Sequence, residues 1–198
     1  MTLNSNVKKY IDESEDPWGL KKTGLIEKRA AFMLKAFGGG KKILDVGGGF
    51  GIYSNMLQKN GNDVICLDYS SRMTKDGKKM FPEMKFVKAD ATCMPFVDSV
   101  FDAMLCMGTM IYISDKIAFF SEASRIMKSG GKLVLIERNR NDVINKAIRL
   151  LKDTETYVDS TDSFLTAKDI RHASGKHFKI KKTKGRLSNF IFCVLEKI

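Results

Sequence analysis

Five short, apolar-rich runs recur along this chain: KILDV (42–46), DVICLD (63–68), MKFVKAD (84–90), FDAMLCM (101–107) and KLVLIE (132–137). Each has the length of a strand, and helical patterns lie between them. Leu25, Ile26, Ala30, Met33, Leu34 and Phe37 repeat at threes and fours, so the spacing predicts a helix over 23–37 that Gly38-Gly39-Gly40 ends. IYSNMLQKNG (52–61) reads as an amphipathic helix stopped by Gly61, and SRMTKDGKKM as a weaker one. Ile117, Phe119, Phe120, Ala123, Ile126 and Met127 line a further helical face before Ser129-Gly130-Gly131. A strand with one wet face alternates apolar and polar residues, whereas these runs are apolar throughout. Alternating with helices, they belong in a parallel sheet covered on both faces, an α/β fold.

The last third changes character. Val143, Ile144, Ala147, Ile148 and Leu151 predict one more helix, and the polar KDTETYVDSTDS after it a loop. TAKD (166–169) has the form of a capping box and should open a short helix to about Ala173. FKIKKTK and NFIFCVLEK flank Gly185-Arg186-Leu187-Ser188, which predicts a hairpin that closes the sheet with an antiparallel strand. With 198 residues and 43% hydrophobic content, the chain can build one sizeable core but is short for two. The expectation is a single domain over 1–198: an N-terminal helical cap or lid (1–40), a core (41–137), and a substrate-side helix with the C-terminal hairpin (138–198).

Charge and cysteines bound the function. The net charge is +11. Residues 1–137 hold 20 Lys+Arg against 16 Asp+Glu, while 138–198 hold 14 against 7, with the excess densest in KHFKIKKTKGR (176–186). Lysines on an exposed edge strand discourage sheet-to-sheet association. That reading is favoured over a nucleic-acid face, which would interleave stacking aromatics with the basic residues. Cys66, Cys93, Cys106 and Cys193 are widely spaced, form no C-x-x-C pair and sit in apolar stretches, so buried, reduced thiols are expected rather than disulfides or a metal site. No apolar run reaches membrane-helix length, and the first residues, MTLNSNVKKYIDESEDPW, lack a signal-peptide core. The expectation is a cytoplasmic protein without membrane insertion, monomeric or homodimeric.

The first strand runs directly into DVGGGFG, four glycines within five positions. A turn without Cβ atoms lets the backbone approach a ligand at the carboxyl end of a strand. A dinucleotide fingerprint starting at Gly47 would need glycine at 52, where Ile52 stands. What stands instead is D-x-G-x-G-x-G, formed by Asp45, Gly47, Gly49 and Gly51. Here the chain resembles the class I S-adenosylmethionine-dependent methyltransferases, in particular the type 11 group that includes ubiquinone/menaquinone biosynthesis methyltransferases. The resemblance covers residues 40–137 well and thins beyond them.

The resemblance implies a Rossmann-like three-layer sandwich, with a seven-stranded, mostly parallel sheet in the order 3-2-1-4-5-7-6 and an antiparallel last strand. It also implies S-adenosylmethionine as methyl donor and S-adenosylhomocysteine as product. Asp45, Gly47, Gly48, Gly49 and Gly51 form the donor loop. Asp68, 17 residues beyond Gly51 at the end of VICLD, takes the position that accepts the ribose hydroxyls, although on its own such an Asp is as readily a helix N-cap. Tyr69 and Met73 follow it on the donor side. Asp90 in KADATCMPF matches the acid that accepts from the adenine amino group, with Ala91 beside it; alone, Asp90 reads equally as a turn residue. Cys106, Met107 and Gly108 fall where the family's backbone lies under the methionine moiety. Gly130 and Gly131 are structural. The family's N-terminal region often forms a lid, which makes Tyr10 and Trp18 candidates to close the site.

Methyl transfer from a sulfonium is an in-line displacement whose main requirement is alignment and exclusion of water. The Asn/Asp-Pro-Pro-aromatic signature of amino-group methylases is absent, with CMGT in its place, which argues against exocyclic amine and amide acceptors. A hydroxyl or carbon acid would need a base, for which Tyr112 and His177 are weak candidates; His172 and His177 are the chain's two histidines. Arg138 and Arg140 are candidates to hold an acidic small molecule, or simply solvate the strand end. The acceptor expected is a small molecule. Two other readings stand beside it: an RNA-modifying methyltransferase, drawn from the basic excess, and a donor-binding protein without catalysis.

Overall fold

A computed structural model describes residues 25–139, 165–185 and 190–198. The predicted first helix is α1 (Leu25–Phe37), followed by β1 (Lys42–Val46), α2 (Ile52–Lys59), β2 (Asp63–Asp68), α3 (Ser71–Met80) and β3 (Lys85–Lys88). Next come β4 (Phe101–Met107), a 3-10 turn (Met110–Tyr112), α4 (Lys116–Ile126), β5 (Met127–Arg138), α5 (Ala167–Ser174), β6 (Phe178–Lys184) and β7 (Phe190–Lys197). The helix expected over 143–151, the loop after it, Tyr10, Trp18, Arg140 and the centre of the hairpin turn lie outside the described residues.

The seven strands form one sheet in the order β3-β2-β1-β4-β5-β7-β6. Pairing is parallel from β3 across to β5 and antiparallel for β5–β7 and β7–β6. This is the Rossmann-like order expected. Successive residues of a strand point to opposite faces, and the two cores follow that alternation. Ile43, Ala103, Leu105, Val134 and Ile136 pack under α1 and α2, with Ile26, Ala30, Met33, Phe37, Met56 and Leu57. Leu44, Val46, Met104, Cys106, Leu133 and Leu135 pack on the other face under α4 and α5, with Phe119, Phe120, Ala123 and Ile170. Burying each large apolar side chain contributes roughly 1.5–3 kcal/mol. Phe119 and Phe120 meet edge to face at 5.2 Å, and their full burial in the core shared with β1, β4 and β5 holds α4 on the sheet.

Two expected boundaries move. The third strand ends at Lys88 rather than Asp90, because Asp90 Oδ1 accepts from the Thr92 N–H at 2.8 Å and the Thr92 hydroxyl at 2.7 Å, turning the chain away. The fifth strand begins at Met127, earlier than Lys132: Met127 pairs with Phe101 and Lys132 with Ala103, so the residues between bulge out of the ladder. Gly131 fits there because a Cβ would lie 2.8 Å from the Lys128 carbonyl. The capping box at the start of α5 forms, with Asp169 N–H donating to Thr166 Oγ1 at 3.2 Å and Thr166 N–H to Asp169 Oδ2 at 2.7 Å. The basic run lies on β6 at the sheet edge, where Lys179, Lys181, Lys182 and Lys184 are exposed and Lys181 pairs with Glu196 at 3.1 Å. One cysteine departs from expectation. Cys66, Cys106 and Cys193 are buried, but Cys93 is exposed, since it sits in the turn that Asp90 opens rather than in a strand. No helix among the described residues is long and apolar enough to cross a membrane.

Candidate functional site

The carboxyl ends of β1, β2, β4 and β5 open on one cavity of about 780 Å³, a size typical of small-ligand sites. Its floor is the turn from β1 into α2. Gly47 N–H and Gly48 N–H both donate to the Leu67 carbonyl, at 2.7 and 3.2 Å, which folds the turn tightly over the end of β2. Gly47 has φ +68°, and a Cβ there would lie 2.0 Å from Thr109 Oγ1, so this position closes against the loop after β4. Gly49 has φ +57° and nothing within 4 Å of where its Cβ would stand. The loop is packed on one side and open on the other.

Beneath it, Asp45 is 2% exposed and takes a 2.5 Å hydrogen bond from the Ser54 hydroxyl. Burial pushes its carboxyl up to about 7, against the lowering effect of Ser54. Asp68 ends β2 with both oxygens in use: Oδ2 accepts from Gly49 N–H at 2.9 Å and Oδ1 from Ser70 N–H at 2.8 Å. The cap of α3 is Ser70, whose hydroxyl accepts from Met73 N–H, so the N-cap reading of Asp68 does not hold. Each carboxylate oxygen has a second lone pair, so Asp68 can still accept from a ligand diol while it ties the glycine loop to β2. Asp90 does form the turn considered for it, through Oδ1 alone, and these bonds from Thr92 hold its carboxyl below its ordinary value.

Asp45, Gly47, Gly48, Gly49, Asp68, Tyr69, Met73, Asp90, Ala91, Met107, Gly108 and Tyr112 all line the cavity. Gly51 and Cys106 do not. A Cβ on Gly51 would meet the Phe86 ring at 2.8 Å, so this glycine serves packing, and Cys106 is fully buried in the α4-side core because its place in the strand alternation points it inward. His177 is also off the cavity, at the start of β6, with its N–H donating to the Ser174 carbonyl. His172 lines a separate small hollow with Asp115 and Asp169. Tyr112 is 66% exposed at the cavity wall, and partial burial holds its phenol above its ordinary value, so it stays protonated at neutral pH.

Among the cavity residues not singled out from the sequence are Glu137, Arg29 and Tyr53. Glu137 ends β5 fully buried; its Oε1 accepts from Thr109 N–H at 3.1 Å and Met110 N–H at 3.2 Å, and its Oε2 has no partner. Burial pushes its carboxyl up to about 7, although those backbone amides favour the charged form. With Gly108 N–H donating to the Ile136 carbonyl at 2.9 Å, Glu137 fixes the loop over which the cavity opens. Its signal was a carboxylate closing an apolar strand, as Asp45 and Asp68 nearly do. Arg29 and Tyr53, on α1 and α2, form the wall beyond the glycine loop. Arg29 occupies a position on the apolar face of α1 between Ile26 and Met33, where a charge breaks the pattern.

A glycine turn open on one side, a carboxylate tied to that turn, and a second carboxylate past the end of β3 stand together on the sheet order that the resemblance implied. Residues 44–135 match the methyltransferase domain family. Over 98 residues it is 38% identical to a demethylmenaquinone methyltransferase of Beutenbergia cavernae, a match that covers 50% of this chain and 41% of that protein. The chain thus spans about two-fifths of the length of this curated relative. Among solved structures, a SAM-dependent methyltransferase from Aquifex aeolicus superposes with TM-score 0.70 at 17% identity, covering 100% of both chains. A geranyl diphosphate C-methyltransferase from Streptomyces coelicolor A3(2) superposes with TM-score 0.72 at 14% identity, covering 88% of this chain and 81% of that one. At such identities these two likenesses concern the fold.

Proposed function

We propose that the protein transfers a methyl group from S-adenosylmethionine to a small-molecule acceptor. The observation that carries this reading is the order of groups along one cavity: Asp90, Asp68 and the glycine turn succeed one another across the ends of β3, β2 and β1, and open space continues past them toward β4 and β5. In this proposal Asp90 and Ala91 receive the adenine, flanked by Tyr69 and Met73, while Asp68 accepts from the ribose. The open face of Gly49 and the backbone of Met107 and Gly108 border the methionine portion. Bound there, the donor supplies an electrophilic methyl on a sulfonium, and the acceptor must attack from the side opposite sulfur.

The protein's share is alignment. Glu137 holds the Thr109 and Met110 amides, so the wall beside the reacting methyl is fixed before the donor arrives; holding donor and acceptor in line can supply about 7–11 kcal/mol of a displacement barrier. Tyr112 stands at the acceptor side as a wall and a hydroxyl donor. The small-molecule assignment is supported by the Beutenbergia cavernae relative, which is a demethylmenaquinone methyltransferase. The division into lid, core and substrate-side segment, and a cytoplasmic location, belong to the same proposal.

The test is methyl-labelled S-adenosylmethionine with the purified protein and three acceptor sets: reduced naphthoquinones, prenyl diphosphates, and total RNA. Label passing into a small molecule and not into RNA supports the reading. Label in RNA alone, or binding of donor with no transfer to a broad small-molecule extract, contradicts it.

A further inference from the structure

Arg29 is 5% exposed, yet it is charged, and its Nε has no hydrogen-bond acceptor. A buried cation without a counter-charge is unfavourable by several kcal/mol, so such groups are paired or bind something. None of the ion pairs among the described residues includes Arg29. Its guanidinium carbon lies 4.4 Å over the Phe190 ring, which positions the group without neutralising it. Next to it is Tyr53, whose buried hydroxyl oxygen faces the Arg29 guanidinium and whose O–H has no acceptor among the described residues. Both residues line the cavity. A guanidinium without a carboxylate partner and the tyrosine hydroxyl beside it therefore share one cavity wall.

Their place in the fold selects the ligand group. Asp90 follows β3, Asp68 ends β2, and the glycine turn ends β1, so a donor laid along these has its amino-acid end directed past β1. The wall there is α1 and α2, which cover the sheet face toward which Asp45 also points, alternating with Leu44 and Val46 on the opposite face. We infer that Arg29, assisted by the Tyr53 hydroxyl, receives the α-carboxylate of the donor's methionine moiety. This rests on the donor reading above and extends it to a residue outside the glycine loop, Asp68 and Asp90. A guanidinium suits a carboxylate because its planar donors match the two oxygens, and Phe190 beneath it presents that plane to the cavity.

The experiment is calorimetric titration of wild type, Arg29→Met and Arg29→Lys with S-adenosylhomocysteine and with its decarboxylated analogue, which keeps the nucleoside and thioether but has no carboxylate. The expected result is a loss of about 10- to 100-fold in S-adenosylhomocysteine affinity for Arg29→Met, with partial recovery in Arg29→Lys, as for a charge-assisted bond. The analogue should bind wild type and Arg29→Met equally. Thermal melting of the ligand-free proteins should show Arg29→Met no less stable than wild type, since no internal ion pair is lost. Unaltered S-adenosylhomocysteine binding by Arg29→Met overturns the inference, including the case where only turnover falls and the anion belongs to the acceptor. Equal losses for both ligands overturn it too, assigning Arg29 to the packing of α1. Failure of wild type to bind either ligand removes the donor reading itself, a different outcome from wild-type binding that Arg29→Met leaves intact.

Discussion

Glu137→Gln tests how the cavity wall is held. Glu137 is fully buried, its Oε1 carries the Thr109 and Met110 amides, and its Oε2 has no partner. Its carboxyl is pushed up from 4.5 to about 7. Between these values the folded protein keeps the proton and the unfolded chain has lost it. The folded state then binds more protons, so stability is greatest below pH 4.5, falls as pH rises, and levels off above about 7. A shift of this size corresponds to about 3 kcal/mol. Glutamine keeps a carbonyl oxygen for the two amides and never ionises. Urea denaturation of both proteins at pH 5, 6, 7 and 8, at one ionic strength, should show the glutamine variant gaining on wild type by about 2–3 kcal/mol between the ends of the range. Asp45, raised for the same reason, remains in both proteins and leaves a shared slope. Parallel curves, or a gap that closes as pH rises, would refute the reasoning.

Other substitutions probe the donor half and the frame. Asp68→Ala removes the acceptor of the Gly49 and Ser70 amides and should weaken S-adenosylhomocysteine binding by about 10- to 100-fold in calorimetry. Asp90→Ala should cost less, about five-fold, because it loses one neutral-partner bond at an exposed site. Gly47→Ala combines φ +68° with a Cβ 2.0 Å from Thr109 Oγ1, and should lower stability by about 1–3 kcal/mol in chemical denaturation. Phe120→Ala empties a fully buried site packed edge to face on Phe119 at 5.2 Å and Phe178 at 5.9 Å, and should cost about 3–5 kcal/mol without changing donor affinity in the folded protein.

The central strands were legible because burial on both faces forces an apolar composition that nothing else in the chain imitates. KILDV, DVICLD and FDAMLCM become β1, β2 and β4 with the bounds read from them. The third strand stops short of its run of letters because the Thr92 contacts to Asp90 turn the chain after Lys88. The fifth was shortened because Ser129-Gly130-Gly131 looks like a terminus, whereas a bulge absorbs it and Met127 pairs again with Phe101. In the site, the glycine loop announced itself by composition. Gly51 and Cys106 show the limit of motif reading: they belong to the matched segments, yet one packs on Phe86 and the other in the core. Glu137 and Arg29 show the converse. Each is one charge in an apolar pattern, and its meaning depends on what a neighbouring strand or helix places across from it.

The most direct test of the account is calorimetry of the wild-type protein with S-adenosylhomocysteine at neutral pH, alongside Asp68→Ala. One site per chain is expected, with affinity at least ten-fold weaker in the variant. No heat of binding in wild type, or the same affinity in both proteins, would contradict it.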